Sequence, residues 1–290
     1  MKVRAIVHGA ISILNAIPAG IGGAIGIDLQ TMVEAESLED EKKLHVEIKV
    51  EDDRVEDISL VEKTVDRILK LSRDRDIGIG LKISSNIPVA RGLKSSSAVT
   101  DAVTLAVSKL LGIDLSLMEA VNLAVESSID AGVTITGAYD DALTCMIGGV
   151  NITDNYKREI LAHWEIEEKY SILIMVPEKK IYTKTVDVSA LRNIGELSRR
   201  VAELALNGWI WDAMILNGIL IASALELDYE PVMVALKNKA TASGISGKGP
   251  AVVAVTLPEY ERELETELKN YGKIIKTRPS NQLAKVEVVK

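Results

Sequence analysis

Residues 87–98, IPVARGLKSSSA, constrain the fold of this chain more than any other stretch. Ahead of them Ile79, Leu81 and Ile83 alternate as in a strand; behind them Val99, Val103, Ala106 and Leu110 recur at helical spacing, with Gly112 as a stop. The chain must therefore pass from strand to helix through a proline, a glycine, a lysine and three serines. The first N–H groups of a helix lack partners and its dipole favours negative charge there, so such a turn is how a chain builds an anion site. Gly92 permits close backbone approach and Ser95, Ser96 and Ser97 add hydroxyls. The pattern is neither a Walker A loop nor a G-x-G-x-x-G dinucleotide turn. The plain alternative is that Ser95 or Ser96 only caps the helix.

Two further stretches stand out. Ser243-Gly244-Ile245-Ser246-Gly247-Lys248-Gly249-Pro250 separates a helical pattern from the apolar run 251–256. Its three glycines and lysine suit a second loop touching phosphate, and they exceed what an ordinary helix-to-strand connection needs. Thr136-Gly137-Ala138-Tyr139-Asp140-Asp141-Ala142 sets adjacent carboxylates among small apolar residues, ahead of Gly148-Gly149. Such a pair is either a solvated turn or chemistry.

Elsewhere, strands are expected over 2–8 and 44–51, with a tract of small residues over 9–27 between them. Ser59 with Glu62, and Ser116 with Glu119, read as capping boxes opening helices that run to about residue 73 and to Gly132. A strand over 146–152 closes this region, and a polar, acidic connector follows over 154–168. Next come a strand (170–176), helices (196–206, 210–226, 231–240), a strand (251–256), a helix (259–270) and two terminal strands. Strands and helices alternate without the rhythm of a doubly wound sheet, which predicts an α+β protein with domains 1–155 and 156–290.

With 47% hydrophobic residues, the 290-residue chain can bury a sizeable core. A net charge of -8 argues against nucleic acid or an acidic membrane as main partner. No window of 18 uninterrupted apolar residues occurs; 209–227 comes nearest but holds Asp212, Asn217 and Ser223. A single cysteine, Cys145, and a start without a leader pattern fit a cytoplasmic protein. His8, His45 and His163 show no metal-ligand spacing.

Taken together, the three motifs resemble the GHMP kinase superfamily, which includes galactokinase, homoserine kinase and mevalonate kinase. Its central motif, P-x-x-x-G-L-G-S-S-A-A, is matched by Pro88, Gly92, Leu93, Ser95, Ser96 and Ala98, with Lys94 replacing a glycine and Ser97 an alanine. Its C-terminal glycine motif matches Ser246-Gly247-Lys248-Gly249-Pro250; Gly9 through Pro18 matches the N-terminal one loosely. Within the superfamily the wording is closest to archaeal-type shikimate kinases, through Gly92-Leu93-Lys94-Ser95-Ser96-Ser97-Ala98, Leu14-Asn15-Ala16-Ile17-Pro18 and the Thr136-to-Ala142 motif.

That resemblance implies an N-terminal domain like ribosomal protein S5 domain 2 and a ferredoxin-like C-terminal domain. It implies ATP-dependent phosphorylation of the 3-hydroxyl of shikimate, with Mg²⁺. The alternatives are another superfamily kinase, such as homoserine kinase, or a non-catalytic ATP- or metabolite-binding member. By resemblance, Pro88, Arg91, Gly92, Leu93, Lys94, Ser95, Ser96, Ser97 and Ala98 hold the ATP phosphates, with Gly247, Lys248 and Gly249 closing on them. Ser96 corresponds to the magnesium-liganding serine. In mevalonate kinase the catalytic Asp precedes a Gly-Gly pair by the interval that separates Asp141 from Gly148 here, so the resemblance implies Asp141 as the base, with Asp140 as alternative. Spacing in mevalonate kinase puts the acidic magnesium ligand on Asp130, with Glu126 as alternative, and the basic partner of the base on Arg4. The acceptor's carboxylate calls for Arg91, Lys94, Arg4 or Arg278. Asn15 either meets substrate hydroxyls or satisfies its own backbone.

Overall fold

A computed structural model describes residues 1–38, 44–50, 57–73, 77–178 and 186–289. The chain opens with a long hairpin, β1 (Lys2–Leu14) and β2 (Ile21–Leu38). The strand expected over 2–8 thus continues through the small-residue tract. From Val7 to Leu14 every residue of β1 is buried, so this half has no solvent face and no alternation for the sequence to display. Then come β3 (Leu44–Val50), α1 (Ser59–Leu71) and β4 (Gly78–Ser85), with β3 and β4 parallel. Residue 51 of the expected strand lies outside the described residues.

The helices α2 (Ser95–Leu110), α3 (Leu117–Asp130) and α4 (Tyr139–Ile147) follow, then β5 (Val150–Asp154) and β6 (Glu159–Trp164). The strand predicted over 146–152 is therefore the end of a helix, a turn at Gly148 and Gly149, both with positive φ, and β5. The predicted polar connector contains β6, which pairs with β5. Of the two capping boxes, Ser116 and Glu119 form theirs: Glu119 accepts from the Ser116 N–H at 2.8 Å, and Ser116 Oγ accepts from the Glu119 N–H at 3.3 Å. Ser59 does not, because Ile58 is the N-cap and Ser59 already lies inside the helix.

The remaining elements are β7 (Ser171–Val176), α5 (Val188–Asn193), α6 (Gly195–Leu206), α7 (Ile210–Leu225), α8 (Glu230–Lys237), β8 (Ala242–Ile245), β9 (Val252–Thr256), α9 (Glu261–Leu268), β10 (Lys273–Thr277) and β11 (Lys285–Val289). Two sheets result. One runs β11-β1-β2-β4-β3, with β5 on the first half of β2 and β6 beyond it; the other is the antiparallel β10-β7-β9-β8. The last strand thus returns to the first sheet, and β6 joins it too. We propose that the two domains follow the sheets, which moves the division from 155 to between Trp164 and Ser171 and gives β6 and β11 to the first.

α2 packs along β1 and β2, burying Ala98, Ala102, Val103, Ala106 and Val107. Small side chains let the helix lie close to the sheet, which fixes where its N-terminus points. The hairpin turn 15–17, the start of α2, the start of α4 and the loop between β8 and β9 meet in one cleft.

Candidate active site

The approach to α2 alternates in backbone sign: Ala90 (φ 56°), Gly92 (φ 82°) and Lys94 (φ 63°) all take positive φ. Such alternation turns successive N–H groups toward one side and makes an anion-binding concavity. The N-cap of α2 is Lys94 and no side chain caps the helix, so the capping reading of Ser95 and Ser96 fails and the first N–H groups are left for a ligand. Ser95, Ser96 and Ser97 all line the cleft, and Ser96 is the exposed one.

The second glycine loop is bonded onto the first. Ser246 Oγ donates to the Gly92 carbonyl at 2.7 Å and accepts from the Ser12 N–H at 3.1 Å. Ser12 Oγ in turn accepts from the Gly247 N–H at 2.9 Å. A Cβ on Gly92 would stand 2.1 Å from the Ser246 carbonyl oxygen, so only glycine lets the loops close up. Asn15 donates to the Gly247 carbonyl at 2.9 Å, accepts from the Ile17 N–H, and gives its own N–H to Asn217 Oδ1. Its amide therefore braces backbone.

Across the cleft, α4 begins at Ala138 (φ 52°), with Asp140 and Asp141 in its first turn, where the helix dipole favours carboxylates. Asp140 is buried. Asn155 Nδ2 donates to it at 2.7 Å and Asn155 Oδ1 accepts from its N–H at 3.2 Å. Asn155 is itself held by Thr153 and Thr136. A Cβ on Gly22 would stand 2.3 Å from Asp140 Oδ2, so the glycine on β2 makes room for this carboxyl. Burial, followed by the charge of Asp141, pushes Asp140 up to about 7.

Asp141 is ion-paired with Lys94 Nζ at 2.9 Å, both side chains being largely buried. Burial alone would lower the lysine's pKa, but the attraction of Asp141 and Asp140 outweighs it and the ammonium is held above its usual value. Lys248 on the second loop is driven down to about 8 by burial and then by the charge of Lys94, partly offset by Asp141. Beneath them Asp101 on α2 is fully buried with neither carboxylate oxygen hydrogen-bonded; burial, then the charge of Asp141, holds it well above the carboxylate range.

One cleft thus collects Pro88, Gly92, Leu93, Lys94, Ser95, Ser96, Ser97, Asp140, Asp141, Gly247 and Lys248. Ala98 is buried in the core, and Gly249 and Arg91 flank the loops; Arg91 gives its carbonyl to the Ala251 N–H. Four expected residues stand elsewhere. Arg4 lies opposite Glu34 and Glu287 in strand register, on the charged face of the first sheet, and bonds Glu34 at 2.7 Å. Asp130 and Glu126 are both paired with Arg67, and Glu126 also with Arg158. From α3 it is Ser128 that reaches the cleft. Arg278 gives its carbonyl to the Asp28 N–H and is not in the cleft wall. Among the described residues no three His, Cys, Asp or Glu side chains form a metal cluster. Asn155 and Asp101 carried no signal in the sequence, because what singles them out is burial beside distant residues.

Residues 59–149 match the family model described as GHMP kinases N terminal domain. The chain is 38% identical over 255 residues to a shikimate kinase of Methanothrix thermoacetophila, covering 88% of this chain and 85% of that one. It is 36% identical to a shikimate kinase of Thermococcus kodakarensis, covering 95% and 99%. Among solved structures, a homoserine kinase from Cytophaga hutchinsonii superposes with a TM-score of 0.76 at 18% identity, covering 99% and 97%. The Methanococcus jannaschii mevalonate kinase superposes with a TM-score of 0.76 at 17% identity, covering 97% and 98%. The two-sheet α+β architecture is that of these kinases. No helix among the described residues is long and apolar enough to cross a membrane.

Proposed function

Because the chain belongs to the shikimate kinase family of the GHMP kinases, we propose that it transfers the terminal phosphoryl group of ATP to the 3-hydroxyl of shikimate, in the cytoplasm. The observation that carries the reading is the joining of a phosphate-shaped turn to a carboxylate in one cleft, by the Lys94–Asp141 pair.

Phosphoryl transfer needs charge neutralised on the phosphate oxygens and the acceptor hydroxyl held in line. The N–H groups of residues 92–97 point their dipoles at the phosphates, and the loop through Gly247 and Lys248 closes over them. Asp141 takes the proton of the attacking hydroxyl. The hydroxyl oxygen forms the new bond to phosphorus, and the bond from phosphorus to the bridging oxygen breaks with its electrons leaving on ADP. Asp140, tied down by Asn155, is the scaffold beneath the base, not the base itself.

The magnesium ion that accompanies ATP fits Ser96, whose hydroxyl is exposed in the cleft wall beside the helix start. Bound there, it would neutralise charge on the phosphate oxygens while keeping several waters. Asp130 and Glu126, committed to arginines, do not join that set. Lys248 supplies a second cation over the phosphates.

The reading is tested by ADP release from Mg-ATP with shikimate, homoserine, mevalonate and galactose in parallel. Turnover with shikimate alone is expected. Turnover with another of the four would keep the family and overturn the acceptor.

A further inference from the structure

Lys94 belongs to two parts of the site at once. Its backbone is the left-handed N-cap of α2, within the phosphate turn, while its ammonium reaches Asp141 on α4 at 2.9 Å. That ammonium also lies against the second glycine loop: a Cβ on Gly247 would stand 3.2 Å from Lys94 Nζ. A side chain anchored among the phosphate-binding N–H groups and ending on the base spans the whole path of the transfer. The lysine occupies a backbone conformation that ordinarily favours glycine, a cost the chain accepts to place a cation at this point.

We propose that Lys94 is a catalytic residue that hands its charge from the base to the transferred phosphoryl group. This rests on the reading of Asp141 as base. As Asp141 accepts the hydroxyl proton it becomes neutral, and its hold on the ammonium vanishes. At the same moment negative charge grows on the oxygens around phosphorus and on the departing ADP oxygen. The ammonium follows the charge, so it needs no protonation change of its own. The other groups facing this pair are Asp140 and Cys145 on α4, Asp101 on α2 and Lys248 on the loop before β9.

Lys94→Gly and Lys94→Met separate this from a packing role; glycine takes the φ of 63° without strain, so that variant keeps the fold. In both, kcat falls at least about 100-fold while the acceptor KM changes little, the size expected for one transition-state cation. Affinity for Mg-ATP, measured by titration calorimetry without acceptor, changes little, because the ammonium leaves Asp141 only as the phosphoryl group moves. A kcat close to that of wild type, or a loss that appears equally in Mg-ATP affinity, overturns the proposal. If wild type ignores shikimate, the acceptor reading fails, and the same comparison of kcat with Mg-ATP affinity, made with the acceptor that turns over, decides the role of Lys94.

Discussion

Gly92→Ala is the sharpest test of the two-loop cradle. An alanine Cβ would sit 2.1 Å from the Ser246 carbonyl oxygen, well inside van der Waals contact, at a backbone φ of 82°. The backbone term alone costs about 1–2 kcal/mol. Relieving the overlap requires the loops to part by roughly 1 Å. That breaks the 2.7 Å bond from Ser246 Oγ to the Gly92 carbonyl, and leaving such a buried group unpaired costs about 1–3 kcal/mol more. The sum, about 2–5 kcal/mol, is a large share of the stability of an ordinary domain. Catalysis should fall further than stability, since a misplacement of about 1 Å costs on the order of 100-fold in rate. Thermal unfolding and ADP release on the same preparation measure both. A variant with wild-type melting and wild-type kcat/KM for ATP would refute the reasoning, because it would show that the loops do not need their present separation.

Other substitutions probe the charges. Asp101→Asn should make stability less dependent on pH. Below about pH 4 the wild-type carboxyl is protonated folded and unfolded alike; above it the unfolded chain ionises while the buried group resists. Wild type therefore loses stability as pH rises toward the raised folded value, by at most about 1.4 kcal/mol per pH unit, and the variant's melting advantage should widen from pH 4 to 7. A constant difference would mean that Asp101 titrates normally. Asp130→Asn should leave kcat within about twofold of wild type and cost about 0–1 kcal/mol, as befits a partly exposed ion pair to Arg67. A large loss of activity, rescued by raised magnesium, would return Asp130 to the metal.

What was legible in the sequence was what the backbone demands locally. Gly92, the three serines and the Gly247–Lys248–Gly249 turn are visible because residue type and turn geometry are tied together within a few positions. The hairpin through residues 9–27 was not, since burial on both faces erases the alternation that marks a strand. Ser59 with Glu62 has the letters of a capping box, yet the helix starts one residue early and the box is empty. Spacing carried over from a relative placed Asp130 and Arg4. The packing of α3 on α1 and the register of β1 put them against Arg67 and Glu34 instead. The cation beside Asp141 arrives from a residue 47 positions earlier, where the general superfamily motif has glycine. Asn155 and the return of β11 to the first sheet are long-range facts with no local signature.

The central claim is that this cleft moves phosphate from ATP to shikimate with Asp141 as base. It is tested most directly by ³¹P NMR of a reaction of Mg-ATP with shikimate, wild type beside Asp141→Asn. The account predicts a new phosphate monoester resonance coupled to the proton on ring carbon 3 with wild type. With the variant it predicts a rate lower by a factor on the order of 100 to 10,000, the usual contribution of a positioned general base, at near-native nucleotide affinity. A phosphoester on another ring position, or an Asp141→Asn enzyme as fast as wild type, would contradict it.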